Sequence, residues 1–571
     1  MNRFDHQLWK RFWAITKPYW FSEEKWGARG LLAALVLFSL LVNGAVNVFI
    51  SFVGRYFTTA LTNKDPSKFF HYLFLYAGAF VVGTPIVVFY SYIGSKLSLY
   101  WRRWLTNYFL NQYFSNRAFY KINSNSKIDN PDERISQDIN AFTDANSGAI
   151  SYFTTIIDQL ITLISFIGIL WSISFNLVIV TIVYSVFGTI ITVLFGRRLI
   201  GLNFNQLKRE ADFRYKLVHV RNNAEMIAFF GGEEQESAQI KQRFNQVFSN
   251  FNFLIGWQRN LSFFTTGYGY FITIVPTLVL APLYFAGQIQ FGVITQADLA
   301  FGQVLGALSL IVNQFQNLSA FVAEIERLGT FAEELKAPIQ AHQSEVTFID
   351  TTIDSRLALE HVTLLTPNYQ RVLVRDLSVT VKPGSGLLIL GPSGCGKSSL
   401  LRAVAGLSNA GTGLIIRPKL EEMLFLPQRP YMILGSLRSQ LLYPKTSGEF
   451  PEPQLYTVLQ QVNLADLPER VGGLDAELDW TNILSLGEQQ RLAFARLLLT
   501  RPRYAILDEA TSALDLQNEV QLYQQMQATS TVFVSVGHRA SLLHYHQQVL
   551  ELKGDTSWRL ERAQDYIQQN F

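Results

Sequence analysis

The feature that most constrains this chain is a set of six long apolar stretches. They cover residues 31–53, 72–94, 151–173, 177–195, 263–287 and 299–318, and none contains a Lys or Arg. An α-helix needs roughly 20 such residues to cross the hydrocarbon of a bilayer, so the sequence predicts six membrane spans. The composition agrees: of 571 residues, 49% are hydrophobic and only 16% charged, against about 25% charged in ordinary soluble domains. That balance excludes a disordered or collagen-like chain and argues against a purely water-soluble enzyme.

Lys and Arg collect on the cytoplasmic side of a membrane. Six precede the first stretch (Arg3, Lys10, Arg11, Lys17, Lys25, Arg29), seven separate the second from the third, and ten separate the fourth from the fifth. The alternate connections hold three, none and none. Both termini and the two long connections are therefore expected in the cytoplasm, and the protein in a cytoplasmic (inner) membrane. A net charge of +4 is too small to argue for nucleic acid. The single cysteine, Cys395, excludes an internal disulfide framework and a cysteine-based zinc site.

Residues 1–28 lack the uninterrupted apolar core of a cleavable signal. Phe4, Leu8, Phe12 and Ile15 share a face, with Lys10, Arg11 and Lys17 elsewhere. That pattern predicts an amphipathic helix, lying on the inner leaflet or packed against the protein itself. Residues 29–328 form the membrane domain. Its two long connections, of roughly 50 to 65 residues, exceed what a turn requires, so the membrane helices are expected to continue into the cytoplasm and turn there. Pro85, Pro276 and Pro282 are expected to kink their helices. Asp158 in the third stretch would cost ~2.5–3.5 kcal/mol at a helix centre and should face water or a partner. Asn313, Gln314, Gln316 and Asn317 cluster in the sixth. Together they outline a polar substrate cavity, with plain packing between helices as the alternative.

Residues 329–354 turn to Glu, Gln and Lys and read as a linker. From 355 to 571, short apolar runs alternate with helical stretches, the pattern of an α/β domain. The apolar run 386–390 leads into Gly391-Pro392-Ser393-Gly394-Cys395-Gly396-Lys397-Ser398-Ser399, a P-loop. Its glycines let backbone N–H groups wrap phosphate oxygens, and the helix that follows adds its positive end. Lys397 can reach the β- and γ-phosphates of ATP while the Ser398 hydroxyl ligates Mg²⁺. A second run, Tyr504 to Leu507, ends in Asp508 and Glu509. Asp508 is placed to serve the magnesium shell and Glu509 to polarise an attacking water.

Leu484-Ser485-Leu486-Gly487-Glu488-Gln489-Gln490-Arg491 precedes the acidic strand and opens a helix. This resembles the signature of the ATP-binding cassette (ABC) family, commonly Leu-Ser-Gly-Gly-Gln. In the same order, Gln428 resembles the Q-loop glutamine, a catalytic and metal-shell residue, Asp515 the D-loop aspartate, and His538 the switch histidine. Leu486 stands where the family usually has glycine, and Glu488 where it commonly has glutamine. No aromatic occupies the position, near Thr366, where an adenine-stacking ring is usual in the family, which leaves Tyr369 for that role. Asn130-Pro131-Asp132-Glu133-Arg134, the phrase around Glu225, and Ser535 to Arg539 resemble subfamily D transporters. That branch includes peroxisomal acyl-CoA transporters, a lysosomal cobalamin transporter and bacterial relatives with a BacA-like membrane domain.

The resemblance implies an exporter-type fold, six α-helical spans fused to an α/β ATPase domain. It also implies ATP and Mg²⁺ as cofactors and a homodimer in which Ser485, Gly487 and Glu488 of one copy meet the ATP of the other. Residues 130–134 and Glu225 would then couple the two domains. The cargo expected is a bulky hydrophilic solute such as cobalamin or a peptide. A subfamily D carrier of fatty acyl-CoA or lipid, and an ion-driven carrier regulated by the cassette, are the alternatives.

Overall fold

The computed structural model describes residues 6–124, 128, 131–272, 274–336, 348–382, 384–445 and 450–570. The chain forms two compact units, Met1–Ile339 and Gln340–Phe571.

In the first unit, among the described residues, six helices are long and apolar enough to cross a membrane. After α1 (His6–Trp20) come α2 (Lys25–Thr62), α3 (Pro66–Phe114), the short α4 (Ala118–Ser124), α5 (Ala149–Ile173) and α6 (Phe175–Asn222). The short α7 (Ala224–Phe230) precedes α8 (Glu233–Ile272), α9 (Val275–Phe285), α10 (Phe291–Leu308) and α11 (Leu310–Lys336). At 1.5 Å per residue, the 49 residues of α3 and the 48 of α6 each span about 70 Å, more than twice the hydrocarbon thickness. The extra length carries these helices beyond the bilayer, where α4 and α7 make the turns.

Several local features follow from the sequence. Asp65 caps α3, its carboxylate accepting from the Lys68 N–H (3.2 Å), with Pro66 in the first turn. Pro85 sits inside an unbroken α3, while Pro276 lies in the first turn of α9 and Pro282 inside it. The sixth span differs from its expected place: the apolar helix is α10, and the chain breaks at Ser309 before α11. The first membrane helix also runs past residue 53 and so includes Arg55. A π-helical stretch, Leu40–Val46, interrupts α2.

Helix α1 packs Leu8, Ile15 and Tyr19 into a cluster with Trp101, Phe109, Leu328 and Phe331. Arg11 pairs with Glu333 on α11 at 3.0 Å. Its other side leaves Trp9 and Trp13 more than half exposed. A second core, around Phe166, Leu170, Ala297 and Phe301, joins α5 to α10. Gly292 lets α10 touch α2, because a Cβ there would lie 2.2 Å from the Arg55 carbonyl oxygen.

The second unit is α/β. One sheet of four strands, β1 (Asp350–Ile353), β2 (Leu357–Leu365), β3 (Val372–Val381) and β5 (Gly411–Arg417), has the order β1-β5-β2-β3. The other holds β4 (Leu387–Leu390), β6 (Met423–Leu426), β9 (Tyr504–Asp508), β10 (Val532–Val536), β11 (Gln548–Leu552) and β12 (Trp558–Arg562). Its order is β12-β11-β4-β10-β9-β6. The two-residue strands β7 (Gly435–Ser436) and β8 (Glu477–Leu478) pair apart. All neighbours from β11 to β6 are parallel, so their carboxyl ends lie along one edge, where ligands of open α/β sheets bind. Three helices frame that edge: α12 (Lys397–Val404), α13 (Leu486–Thr500) and α14 (Leu516–Gln527). The expected linker is partly structured: α11 reaches Lys336 and β1 starts at Asp350, while residues 337–347 lie outside the described ones.

Candidate functional site

The loop from β4 to α12 takes backbone conformations that suit glycine, with φ of 143° at Gly391, 78° at Gly394 and 110° at Gly396. A Cβ on Gly391 would lie 2.3 Å from the Leu552 carbonyl oxygen. Lys397, at the start of α12, folds over this loop and donates from Nζ to the carbonyls of Gly391 (2.7 Å) and Pro392 (3.0 Å). Ser393 and Gly394 are exposed, while the Cys395 thiol is buried. The exposed Ser398, followed by the half-buried Ser399, lies near the Asp508 carboxylate at the end of β9. Burial, with the neighbouring Glu509, pushes the Asp508 carboxyl up against the influence of Ser398, Arg402 and Lys397. The group is a half-buried carboxylate at the end of its strand.

Adjacency in the sheet explains the next cluster. Because β6, β9 and β10 are neighbours, the residues that follow their carboxyl ends converge. Gln428 donates from Nε2 to Glu509 Oε2 (2.9 Å), and His538 Nε2 lies 3.3 Å from Glu509 Oε1. Glu509 itself has a left-handed backbone (φ 48°), and its N–H donates to Val536 O at 3.0 Å. Such strain in a non-glycine residue marks a position held by its surroundings.

Ser485 and Glu488 form a capping box at the start of α13, and Leu486 is half-buried beside them. Gly487 has the Ala513 carbonyl oxygen 3.1 Å from where a Cβ would stand. Asp515 caps α14 through the Asn518 N–H (2.7 Å). Tyr369 stands in the β2–β3 turn with φ of 58° and an exposed ring.

Sequence reasoning missed the residues that join these loops. The fully buried Gln490 donates to Gln428 O (2.9 Å) and Ser512 Oγ (3.2 Å), and accepts from the Ala513 N–H. Glu519, also fully buried, accepts from Thr511, Ser541 and Arg539. Gln490 lies two residues past Glu488, on the inward face that helical spacing assigns.

In the membrane unit, Asp158 has partners on two other helices. Tyr90 donates to one oxygen at 2.7 Å, while Asn43 (3.2 Å) and Ser39 donate to the other. The carboxylate is held by its neighbours, and Ser39 and Asn43 bracket the start of the π-helical stretch. Gln314 and Asn317 bond each other at 2.8 Å; the side chains of Asn313 and Gln316 lie outside the described ones. A different seam leaves polar atoms unmatched. On α2, Ser51, Arg55 and Thr59 recur every four residues and face α10, where Arg55 donates to Gln296 Oε1 at 3.4 Å. Ser51 Oγ, Arg55 Nε, Thr59 Oγ1 and Gln296 Nε2 are buried without partners.

Of the expected coupling residues, Asn130 lies outside the described ones. Pro131 and the exposed Asp132 begin a short helix. Glu133 and Arg134 turn back into the membrane unit. Glu133 lies 3.5 Å from Arg327 and 3.7 Å from Arg214, while the buried Arg134 donates to Arg327 O and Thr330 Oγ1. Glu225 is exposed on α7, whose Met226, Phe229 and Phe230 are exposed as well.

Comparison with known proteins accounts for both units. Residues 15–285 match the family described as ABC transporter transmembrane region 2, and residues 374–512 the one described as ABC transporter. The chain is 50% identical to an ABC transporter ATP-binding protein of Synechocystis, over 94% of this chain and 82% of that one. It is 44% identical to the chloroplastic ABC transporter D family member 2 of Arabidopsis thaliana (98% and 89% covered). With the lysosomal cobalamin transporter of Homo sapiens it shares 31% (98% and 97% covered). A bacterial Atm1-family ABC exporter with ATP bound shares the fold, with a TM-score of 0.78 at 17% identity over 95% of this chain and 96% of that one. Spans, phosphate loop and signature thus belong to one kind of machine, and the chain is a member of the D family of ABC transporters, half-transporters that couple ATP hydrolysis to transport.

Proposed function

We propose that two copies of this chain form the working transporter, with each ATP held between the phosphate loop of one copy and the signature of the other. The loop N–H groups of residues 391–399 wrap the phosphates, Lys397 leaves its carbonyl partners for the β- and γ-oxygens, and Tyr369 supports the adenine. Mg²⁺ supplies charge neutralisation at the phosphates. Ser398, Gln428 and Asp508 would hold it, and the half-buried Asp508 carboxylate at the end of β9, facing Ser398, fits that task. Glu509 takes a proton from the attacking water, oriented by Gln428 and His538. Ser485, Gly487, Glu488 and Asp515 complete the site from the second copy. The observation that carries this reading is the convergence of Gln428 and His538 on Glu509.

The exposed apolar tip of α7, with Glu225, and the segment 130–134 pass the movement of the ATPase domains to the membrane helices. Trp9 and Trp13 of α1 face lipid. The protein sits in a cytoplasmic membrane with both termini and the ATPase domain inside. Its cargo is a bulky hydrophilic solute such as cobalamin or a peptide. Uncharged polar side chains at the start of α11, Gln314 and Asn317 among them, and likeness to a cobalamin transporter support that choice. ATPase activity in lipid nanodiscs against cobalamin, peptides and acyl-CoA, then flux in vesicles of known orientation, tests it. Stimulation by acyl-CoA alone would overturn the choice of cargo.

A further inference from the structure

A glutamate in the signature poses an electrostatic problem. Glu488 Oε2 accepts from the Ser485 N–H (2.8 Å) and lies 3.0 Å from the Ser485 hydroxyl, while the Glu488 N–H donates back to that hydroxyl at 3.3 Å. The carboxylate thus sits on the very helix end that must attract phosphate. Free N–H groups and a positive dipole favour an anion there; a bare carboxylate repels it.

A second charge meets the first. Arg470, in the short helix Leu467–Val471, donates from Nη2 to Glu488 Oε1 at 2.5 Å. The two carboxylate oxygens are therefore divided, one closing the cap and the other taken by the guanidinium. Burial pushes the Glu488 carboxyl up, but bonds from Arg470 and Ser485 outweigh it and hold the group below its usual range. Glu488 is largely shielded, whereas Arg470 is nearly half exposed. Its other carboxylate neighbour, Asp466, is 3.6 Å away and exposed.

We propose that Arg470 is a positioning residue for the partner copy's ATP: it cancels the charge of Glu488, so that Ser485 and the start of α13 present a net attractive face to the γ-phosphate. The inference rests on the two-copy site proposed above. Arg470 touches no nucleotide and acts through Glu488 alone. Its contribution should therefore vanish when Glu488 carries no charge.

The test uses the full-length protein in nanodiscs. Arg470→Ala should raise the apparent KM for ATP about tenfold, the scale of one charge at a helix end, with a smaller fall in kcat. Arg470→Lys should recover most of the loss. In a Glu488→Gln background, the further change Arg470→Ala should shift KM by less than about twofold. Arg503→Ala, which removes a surface pair with Glu422, serves as the control and should leave KM alone. An unchanged KM in Arg470→Ala overturns the proposal. So does an effect that persists undiminished in the Glu488→Gln background, since Arg470 would then only support the local fold. Mixing Arg470→Ala with Lys397→Ala separates this from the two-copy reading. The one site left with an intact loop and an intact signature should show the wild-type KM. A raised KM there would fault the two-copy reading, while the double variant still decides the charge pairing.

Discussion

The two units treat buried polar groups differently. Around Asp158 the membrane unit closes a carboxylate with donors from Ser39, Asn43 and Tyr90. Hydrocarbon offers no water, so an unmatched polar group there costs several kcal/mol, and saturation is the inexpensive solution. The ATPase unit instead keeps Asp508 and Glu509 at a strand end and Lys397 at the start of a helix, with Glu509 and Lys397 bonded to groups they can leave. Lys397 holds two loop carbonyls, and Glu509 holds Gln428 and His538. Chemistry needs partners that exchange; a membrane fold needs partners that stay. The seam at Arg55 and Gln296 departs from that pattern, with several of its buried polar atoms left without a partner.

The largest expected effect sharpens the ATPase side of this contrast. Lys397→Ala should weaken ATP binding by about 100-fold or more, the scale of losing one preorganised donor, with the thermal transition of the membrane unit unmoved. Equilibrium binding of labelled ATP checks it, and an unchanged affinity would remove Lys397 from the phosphate site. On the membrane side, Asp158→Ala leaves three donors unmet and should cost about 2–4 kcal/mol of stability. ATP affinity should stay within about twofold, because the units are separately packed. A variant as stable as wild type would mean that those bonds hold nothing together.

Acid should move the units in opposite directions. His546 is buried, its Nδ1–H donating to Leu542 O and its Nε2 accepting from Ser535. Burial pulls its pKa down from 6.5 to about 4. The unfolded chain binds a proton near 6.5 and the folded one does not until about 4, so the ATPase unit loses up to about 3 kcal/mol as pH falls through that window. Glu324 lies on α11 beyond the membrane-spanning helices. Burial first, then Asp138 and Asp144, raise its pKa from 4.5 to about 7. Here the folded state binds the proton more tightly, so its stabilising contribution is present below about 4.5 and is lost as pH rises through 7. Hydrogen exchange at pH 5 and 7, corrected for intrinsic rates, should show α14 less protected and α11 more protected at the lower pH. His546→Gln and Glu324→Gln should each flatten only their own unit's response. The smallest effect concerns Cys395, which is 3% exposed. A bulky thiol reagent should label it at least about tenfold more slowly than an open thiol, and ATP should slow it further. Fast labelling would mean that the loop opens freely.

What could be read from the sequence depended on how local each feature is. The phosphate loop uses backbone geometry within nine consecutive residues, so Gly391 to Ser399 announce it. Length and apolarity likewise revealed six spans. The break at Ser309 was hidden, because a hydropathy run is continuous across it. Asp158 finds Ser39 and Tyr90 from 119 and 68 residues away, a pairing that spacing along the chain cannot express. Arg134 was expected among the charged residues that reach toward the ATPase domain, yet it is buried against Arg327 and Thr330. Charge predicts exposure only until a carbonyl and a hydroxyl are placed to receive it.

The claim on which everything else depends is that ATP hydrolysis at Glu509 powers movement through the membrane unit. Vesicles of known orientation, loaded with the cargo that stimulates the ATPase, test it with wild type and Glu509→Gln side by side. The variant should bind ATP as well as wild type yet turn over at least about tenfold more slowly, with flux falling in the same proportion. Flux that stays at the wild-type rate while hydrolysis falls would contradict the account, and would make the cassette a regulator of a carrier driven by something else.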